Sequence, residues 1–166
     1  MKKQIWISLM FIFLFFVNTA IKAQTAAKSI YFEIGGAGLA SFNYDMRFQK
    51  KEDGLGFKVG VGGFKIDDVG AIFVPLGLNY LLSKDHRNYF EVGGGLTIVS
   101  IKERYNNYYS GTTTNDNFST TFGHAYFGYR LQPKDGGFLF RAGITPVFNK
   151  DGFIPYWLGI SFGYKF

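Results

Sequence analysis

The stretch LGISFGYKF, residues 158–166, alternates large apolar residues with small or polar ones. Leu158, Ile160, Phe162, Tyr164 and Phe166 occupy every second position. Because successive side chains of a β-strand point to opposite faces, this pattern predicts a strand with one apolar face and one small or polar face.

The same period of two recurs upstream in seven further segments, which are separated by turn-forming residues. No window of useful length keeps the 3.6-residue period of an amphipathic helix. The sequence therefore predicts an all-β chain of eight strands. In chain order they are about Ser29–Gly38, about Ala40–Gln49, Phe57–Val61, Ile72–Leu82, Phe90–Ile98, Ala125–Tyr129, Phe138–Ile144 and Tyr156–Phe166.

The composition excludes several classes of protein. The chain has 166 residues, of which 47% are hydrophobic, 20% aromatic and 18% charged, and it contains no cysteine. Such a chain is too apolar to be disordered, and it cannot carry disulfides, thiol catalysis or cysteine-based zinc sites. The longest apolar run, Ile5–Val17, is 13 residues. A transmembrane helix needs about 20, so a helical membrane protein is excluded as well.

The first 23 residues have the pattern of a secretory signal peptide. Lys2 and Lys3 precede the apolar run, and a more polar tail ends at Ala23. Cleavage is predicted after Ala23, with Ala20 as the alternative, which leaves residues 24–166 as one exported domain. Its 15 basic and 12 acidic residues give a net charge of +3 instead of +6. We expect no nucleic-acid partner, because no basic cluster with interleaved aromatic residues remains.

The face opposite the apolar one is rich in glycine, with charges that nearly cancel. A surface in contact with water gains nothing from so many glycines, which weaken strands by about 0.5 to 1 kcal/mol each. The narrow lumen of a small barrel does need them, because they make room for larger side chains. The apolar face is therefore predicted to contact lipid, and a lipocalin-like barrel with an apolar interior is the alternative. The predicted polar network of the lumen comprises Glu33, Asp45, Arg47, Lys58, Glu91, His124, Arg130 and Arg141.

The connections fall into two groups. Gln49–Gly54, Ser83–Asn88 and Gln132–Gly137 are short polar turns on the side of the termini, whereas the connection at about Ser100–Thr120 is the longest. This asymmetry is typical of bacterial outer-membrane barrels, whose periplasmic turns are short and whose extracellular loops are longer. Residues 38–40 could form a turn or a glycine kink, and a kink would leave seven strands.

Two features could carry function beyond the scaffold. The segment Arg104–Thr121 is predicted to be an outer loop, in which Tyr105, Tyr108 and Tyr109 would contact an extracellular ligand of unknown identity. His124 faces the predicted lumen, but no serine or acidic residue stands at a diagnostic spacing from it. We therefore expect no enzymatic activity, no cofactor and no metal.

The aromatic residues Phe162, Tyr164 and Phe166 resemble the C-terminal insertion signal of Gram-negative outer-membrane barrels. The exported chain as a whole resembles the small eight-stranded families grouped with the OmpA transmembrane domain, OmpX and OmpW. The resemblance implies an eight-stranded antiparallel up-and-down transmembrane β-barrel, monomeric, exported by a Sec-type route and inserted into outer-membrane lipid by the barrel-assembly machinery. The implied role is structural or interactive at the cell surface. The alternatives are a narrow pore or transporter for small or apolar molecules and a lipid A-modifying enzyme.

Overall fold

A computed structural model describes residues 26–107 and 112–166, and it confirms the predicted closed, eight-stranded antiparallel β-barrel. Ten strand segments and one 3-10 turn build it. They are β1 (Lys28–Gly35), the 3-10 turn (Gly36–Gly38), β2 (Ala40–Arg47), β3 (Gly54–Ile66), β4 (Val69–Leu82), β5 (Asn88–Asn107), β6 (Thr112–Leu131), β7 (Gly137–Ile144), β8 (Val147–Asn149), β9 (Gly152–Ile154) and β10 (Leu158–Lys165).

The barrel closes where the first strand meets the last. Each strand from β1 to β7 pairs with its neighbour in sequence, β7 pairs with β10, and β10 pairs with β1 from Gly35–Gly159 to Ser29–Lys165. The segments β8 and β9 continue β7 and β10 outward. Pro146 interrupts the first of these long strands, because proline has no N–H to give to the ladder. The ten segments therefore form eight barrel strands.

The two faces of the strands separate as the alternation predicts. Outward-facing apolar side chains are extensively exposed, for example Phe42 at 63% and Leu78 at 53%, whereas Glu33, Asp45 and Arg141 on the inner face are each 1% exposed. The described part of the chain thus has its apolar coat on the outside, so the lipocalin-like alternative is wrong. Among the described residues, no helix is long and apolar enough to cross a membrane.

The connections at the end near the termini are compact turns, as predicted. They occupy residues 48–53, 83–87 and 132–136. In the second of them Asp85 accepts hydrogen bonds from the side chain and backbone N–H of Asn88 and from the backbone N–H of Arg87. These bonds, led by that of the Asn88 side chain, lower the pKa of Asp85 below its usual range. His86 lies in the same turn with a positive φ of 55°.

Residues 38–40 belong to a turn and not to a kink. The chain reverses through Gly36–Gly38, and β1 and β2 pair antiparallel from Ile34–Ala40 downward. Positive φ angles at Gly35 (77°) and Gly36 (62°) allow the reversal, since glycine adopts this region without steric penalty. The count of eight strands rests on this turn.

The prediction of a long loop at Ser100–Thr120 is wrong. β5 and β6 continue as a regular antiparallel pair as far as Asn107–Thr112, so residues 108–111 connect them. The polar composition suggested a loop because it lacks the alternation of a half-buried strand. Two strands that project into water need no such alternation, because their mutual hydrogen bonds satisfy the backbone. The predicted signal peptide, residues 1–23, lies outside the described residues.

Candidate functional site

The inner half of the lumen, on the side of the termini, holds a cluster of buried charges. Three arginines and three carboxylates, each about 1% exposed, occupy it: Arg47, Arg130, Arg141, Glu33, Asp45 and Glu91. They come from five different strands, and five ion pairs within 4.0 Å connect them. Buried charges are tolerated when they are paired in this way. We call these six residues the charge cluster.

Arg141 on β7 makes the most contacts in the charge cluster. Its Nε and Nη2 donate to the two carboxylate oxygens of Glu91 at 2.8 Å each, and its Nη1 donates to Glu33 at 3.1 Å. The rings of Tyr31 and Tyr126 cover its guanidinium from distances of 4.5 and 4.4 Å to the ring centroids. The planar, delocalised guanidinium is suited both to hydrogen bonds with carboxylates at its edge and to contacts with aromatic rings on its faces.

Asn79 connects the two halves of the charge cluster. Its amide nitrogen donates to Asp45 at 2.6 Å and to Glu91 at 2.9 Å, and its side-chain oxygen accepts from Arg47 at 2.5 Å. Arg47 and Arg130 both donate to Asp45, at 2.7 and 3.2 Å. The side chains therefore form one connected network across the lumen.

Lys58 and His124 lie inside the lumen but take no part in this network. Lys58 stands opposite Asp45 in the strand register, yet it forms no ion pair with any described residue, because Asp45 is occupied by the two arginines. Lys58, which the sequence predicts to belong to the polar network, therefore lies outside the ion pairs of the charge cluster. The hydroxyl of Thr97 contacts His124 Nδ1 at 3.2 Å and donates its one proton to the carbonyl of Ala37. Because the Thr97 proton is used in this way, its contact with His124 is a hydrogen bond in which Nδ1–H of His124 donates to the Thr97 hydroxyl oxygen.

Glycines give the large side chains their space. Gly128 and Gly143 are cross-strand partners on β6 and β7. A Cβ on Gly143 would lie 2.9 Å from the ring of Tyr126 and 2.7 Å from the Cα of Gly128. The ring of Tyr126 can lie against Arg141 because neither glycine has a side chain.

The outer half of the lumen is apolar. Ala71, Phe73 and Val99 are buried there and pack with Leu39, Ile101 and Phe122. The turn Gly36–Gly38 folds inward beneath them and is buried. Its carbonyls accept from Thr97 and, at 2.8 Å, from the indole N–H of Trp157. The inward turn thus occupies the lumen above the charge cluster.

The remaining predicted residues fall in three places. Phe162 and Tyr164 lie on the outer face of β10, and Phe166, which is also exposed, directly follows the end of that strand. Tyr105 lies in β5 opposite Thr114 instead of in a loop. Tyr108 and Tyr109 lie outside the described residues.

Sequence reasoning missed Asn79, Trp157 and the apolar outer lumen. Phe73 and Phe122 occur at lumen-facing positions of their strands, so both faces of the barrel are apolar near its outer end. The presence of apolar residues on both faces of these segments is the sequence signal that could have indicated the apolar outer lumen.

Comparison with known proteins identifies the fold. No protein-family model matches the sequence, and no curated protein matches it. Among solved structures, the N-terminal β-barrel domain of OprF from Pseudomonas aeruginosa is similar, with a TM-score of 0.57 and 12% identity. The alignment covers 85% of this chain and 96% of that domain. The fold is that of an eight-stranded outer-membrane barrel.

A second structure has the same barrel fold. The attachment invasion locus protein Ail of Yersinia pestis is similar with a TM-score of 0.50 and 16% identity, over 86% of this chain and 99% of that one. At these identities the likeness concerns the fold, and the outer-membrane barrel fold by itself specifies no activity.

Proposed function

We propose that the protein is an integral outer-membrane barrel with a sealed lumen, which presents its long β5–β6 hairpin at the cell surface for a structural or binding role. The observation that carries this proposal is the combination of an apolar outer face with a lumen filled by the charge cluster and the inward turn. An apolar exterior of this extent would be unfavourable in water.

Aromatic residues around one end of the barrel support a membrane location. At the end near the termini, a ring of outward aromatic side chains surrounds the strands, each at least 42% exposed: Phe48, Tyr80, Phe90, Tyr129, Phe138, Tyr164 and Phe166. Amphipathic rings are favoured where hydrocarbon meets water, and girdles of them flank the apolar band of outer-membrane barrels. This end would then face the periplasm.

A charge placed on the outer face tests the contact with lipid. Leu76, near the middle of β4, and Leu82, at its end, are 41% and 50% exposed. We expect Leu76→Arg to lower the free energy of unfolding in lipid vesicles by about 2–4 kcal/mol, and Leu82→Arg by about 0–1 kcal/mol, because the penalty depends on depth in the bilayer. Denaturant titration in vesicles measures both. Equal, small effects would contradict the membrane location.

The β5–β6 hairpin is the element best placed to meet a partner outside. β4 supports β5 as far as Glu103, and β8 supports β6 as far as Gly123. Beyond these points the two strands pair with each other up to Asn107–Thr112. The hairpin therefore projects beyond the rest of the barrel.

Cysteine labelling tests this orientation, since the chain has no cysteine of its own. Asn117 lies on the hairpin and Lys84 in a turn at the opposite end, and both are exposed. We expect a membrane-impermeant maleimide to label Asn117→Cys on intact cells, and Lys84→Cys only after the outer membrane is permeabilised. The reverse pattern would invert the proposed orientation.

The two alternative functions have less support in the geometry. A pore would need a path through the charge cluster and past the inward turn, and steady conductance in planar bilayers would favour it over the sealed barrel. Catalysis on lipid A would use His124, which is 2% exposed and contacts a threonine inside the barrel. Altered lipid A acylation in His124→Ala cells would favour that alternative.

A further inference from the structure

A cavity of about 490 Å³ lies at the outer mouth of the barrel. Its walls come from four parts of the chain: the inward turn with Leu39, Phe73 on β4, Phe122 on β6, and the β8–β9 hairpin together with Trp157. Nearly all of these side chains are apolar, and the polar ones are Asn149 and Asp151 at the tip of the hairpin. The volume lies within the range of about 300–1,000 Å³ that is usual for small-molecule sites.

The cavity is a dead end. Its floor is the inward turn, held in place by the indole N–H of Trp157 on one side and the hydroxyl of Thr97 on the other. Beneath the turn lies the charge cluster. An apolar molecule in the cavity could not continue inward, because it would have to displace a connected network of buried ion pairs.

The barrel wall is interrupted beside the cavity. β1 and β10 stop pairing at Gly35–Gly159, and β2 and β3 stop at Ser41–Gly62. Above that level β3 continues to Ile66 with β4, while β9 pairs with β8 and with no other described strand. Since the inward turn and β9 both line the cavity, this interruption gives it a lateral opening. The rim is apolar, with Phe153 at 63% and Ile154 at 51% exposure.

We propose that this cavity binds the apolar chain of a single-chain amphiphile that has an uncharged, hydrogen-bonding headgroup, taken up laterally from the membrane and retained without passage. If each carbon of the chain needs about 30 Å³, as a water molecule does, a chain of about 12 carbons fits into the cavity. No cationic side chain occurs among the described lining residues, and the carboxylate of Asp151 disfavours an anionic headgroup. The route of entry rests on the proposed membrane location.

Trp157 provides a built-in reporter, because the chain has two tryptophans and Trp6 falls in the predicted signal peptide. The probe is dodecyl maltoside brominated in mid-chain, added below its micelle-forming concentration to the protein in lipid nanodiscs. We expect saturable quenching of the tryptophan fluorescence, reversal by excess unbrominated dodecyl maltoside, and loss of the response in Trp157→Phe. Quenching that rises in proportion to the probe and resists competition would overturn the proposal.

The second measurement uses a variant in which bulkier side chains fill the cavity. Val147 and Ile154 face each other across the hairpin and line the cavity. We expect Val147→Phe/Ile154→Phe to raise the half-saturating concentration at least tenfold. The control Val61→Phe/Ile98→Phe, which adds the same bulk on the outer face, should change it less than twofold. An unchanged value in the filled variant would contradict binding in this cavity.

Heat-modifiable migration on a gel shows whether each variant has folded into a barrel, so that a loss of binding can be told apart from a loss of folding. If the double variant does not fold, the single Val147→Phe variant and the competition with unbrominated detergent decide the matter. A wild-type protein that fails to enter nanodiscs would contradict the proposed membrane location and leave quenching of the detergent-free protein as the measure of binding.

Discussion

Replacement of Arg141 by alanine should lower the free energy of unfolding by roughly 3–5 kcal/mol, the range for breaking a buried ion pair by removal of one partner. The substitution leaves Glu91 without its two bonds from the guanidinium and Glu33 without its ion pair. It also removes the cation between the rings of Tyr31 and Tyr126. Urea titration of the refolded protein in micelles measures the loss.

Two further variants separate the buried pair from a general effect of charge. Arg87 is an exposed arginine in the turn before β5, and Arg87→Ala should change stability by less than about 0.5 kcal/mol. The double variant Arg141→Ala/Glu33→Ala should recover part of the loss, because Glu33 forms no other ion pair with a described residue and the single variant leaves its carboxylate bare. If Arg141→Ala and Arg87→Ala are equally stable, the charge cluster does not stabilise the barrel.

A valine at Gly143 should be the second severe change. Its Cβ would lie 2.4 Å from the carbonyl oxygen of Phe127 and 2.9 Å from the ring of Tyr126, which covers Arg141. Overpacking of this kind costs about 1–3 kcal/mol. The displaced tyrosine should add to this by uncovering the arginine. We expect Gly143→Val to unfold at lower urea concentration and to yield less heat-modifiable barrel.

Gly152 is the matched control for that substitution. It also lies in a strand, but a Cβ there meets nothing within 4 Å and its φ is not positive. Gly152→Val should therefore leave stability within about 0.5 kcal/mol of the wild type. Similar losses of stability at Gly143 and Gly152 would mean that replacement of any strand glycine destabilises the protein, whatever space surrounds it.

The sequence predicts the barrel strands and their faces because lipid and lumen impose opposite chemistry on alternate residues. Along β4, for example, Leu76 and Leu78 point outward and Asn79 points inward, as the pattern indicates. The residues of the charge cluster were also predictable, since charged side chains on the inner face of a narrow barrel must lie close together.

The partners within that cluster were not predictable. Asp45 and Lys58 are register neighbours, and pairing them is the simple expectation, but Arg130 reaches Asp45 from across the lumen. Such contacts depend on how long side chains fill the interior in three dimensions. The inward turn was hidden for a related reason: nothing local to GAG indicates that Gly36–Gly38 would bond with Thr97 and Trp157, which are distant in the sequence.

The pairing of β1 with β10 has a consequence for assembly. These strands come from opposite ends of the described barrel, so the ring cannot close until the last strand has been synthesised and delivered. Until then, β1 and whichever strand is last in place each present unpaired N–H and C=O groups, a state that invites aggregation. Contacts so far apart in sequence also form slowly. The protein would therefore need a protected route from export to closure, and the final strand determines when that protection can end.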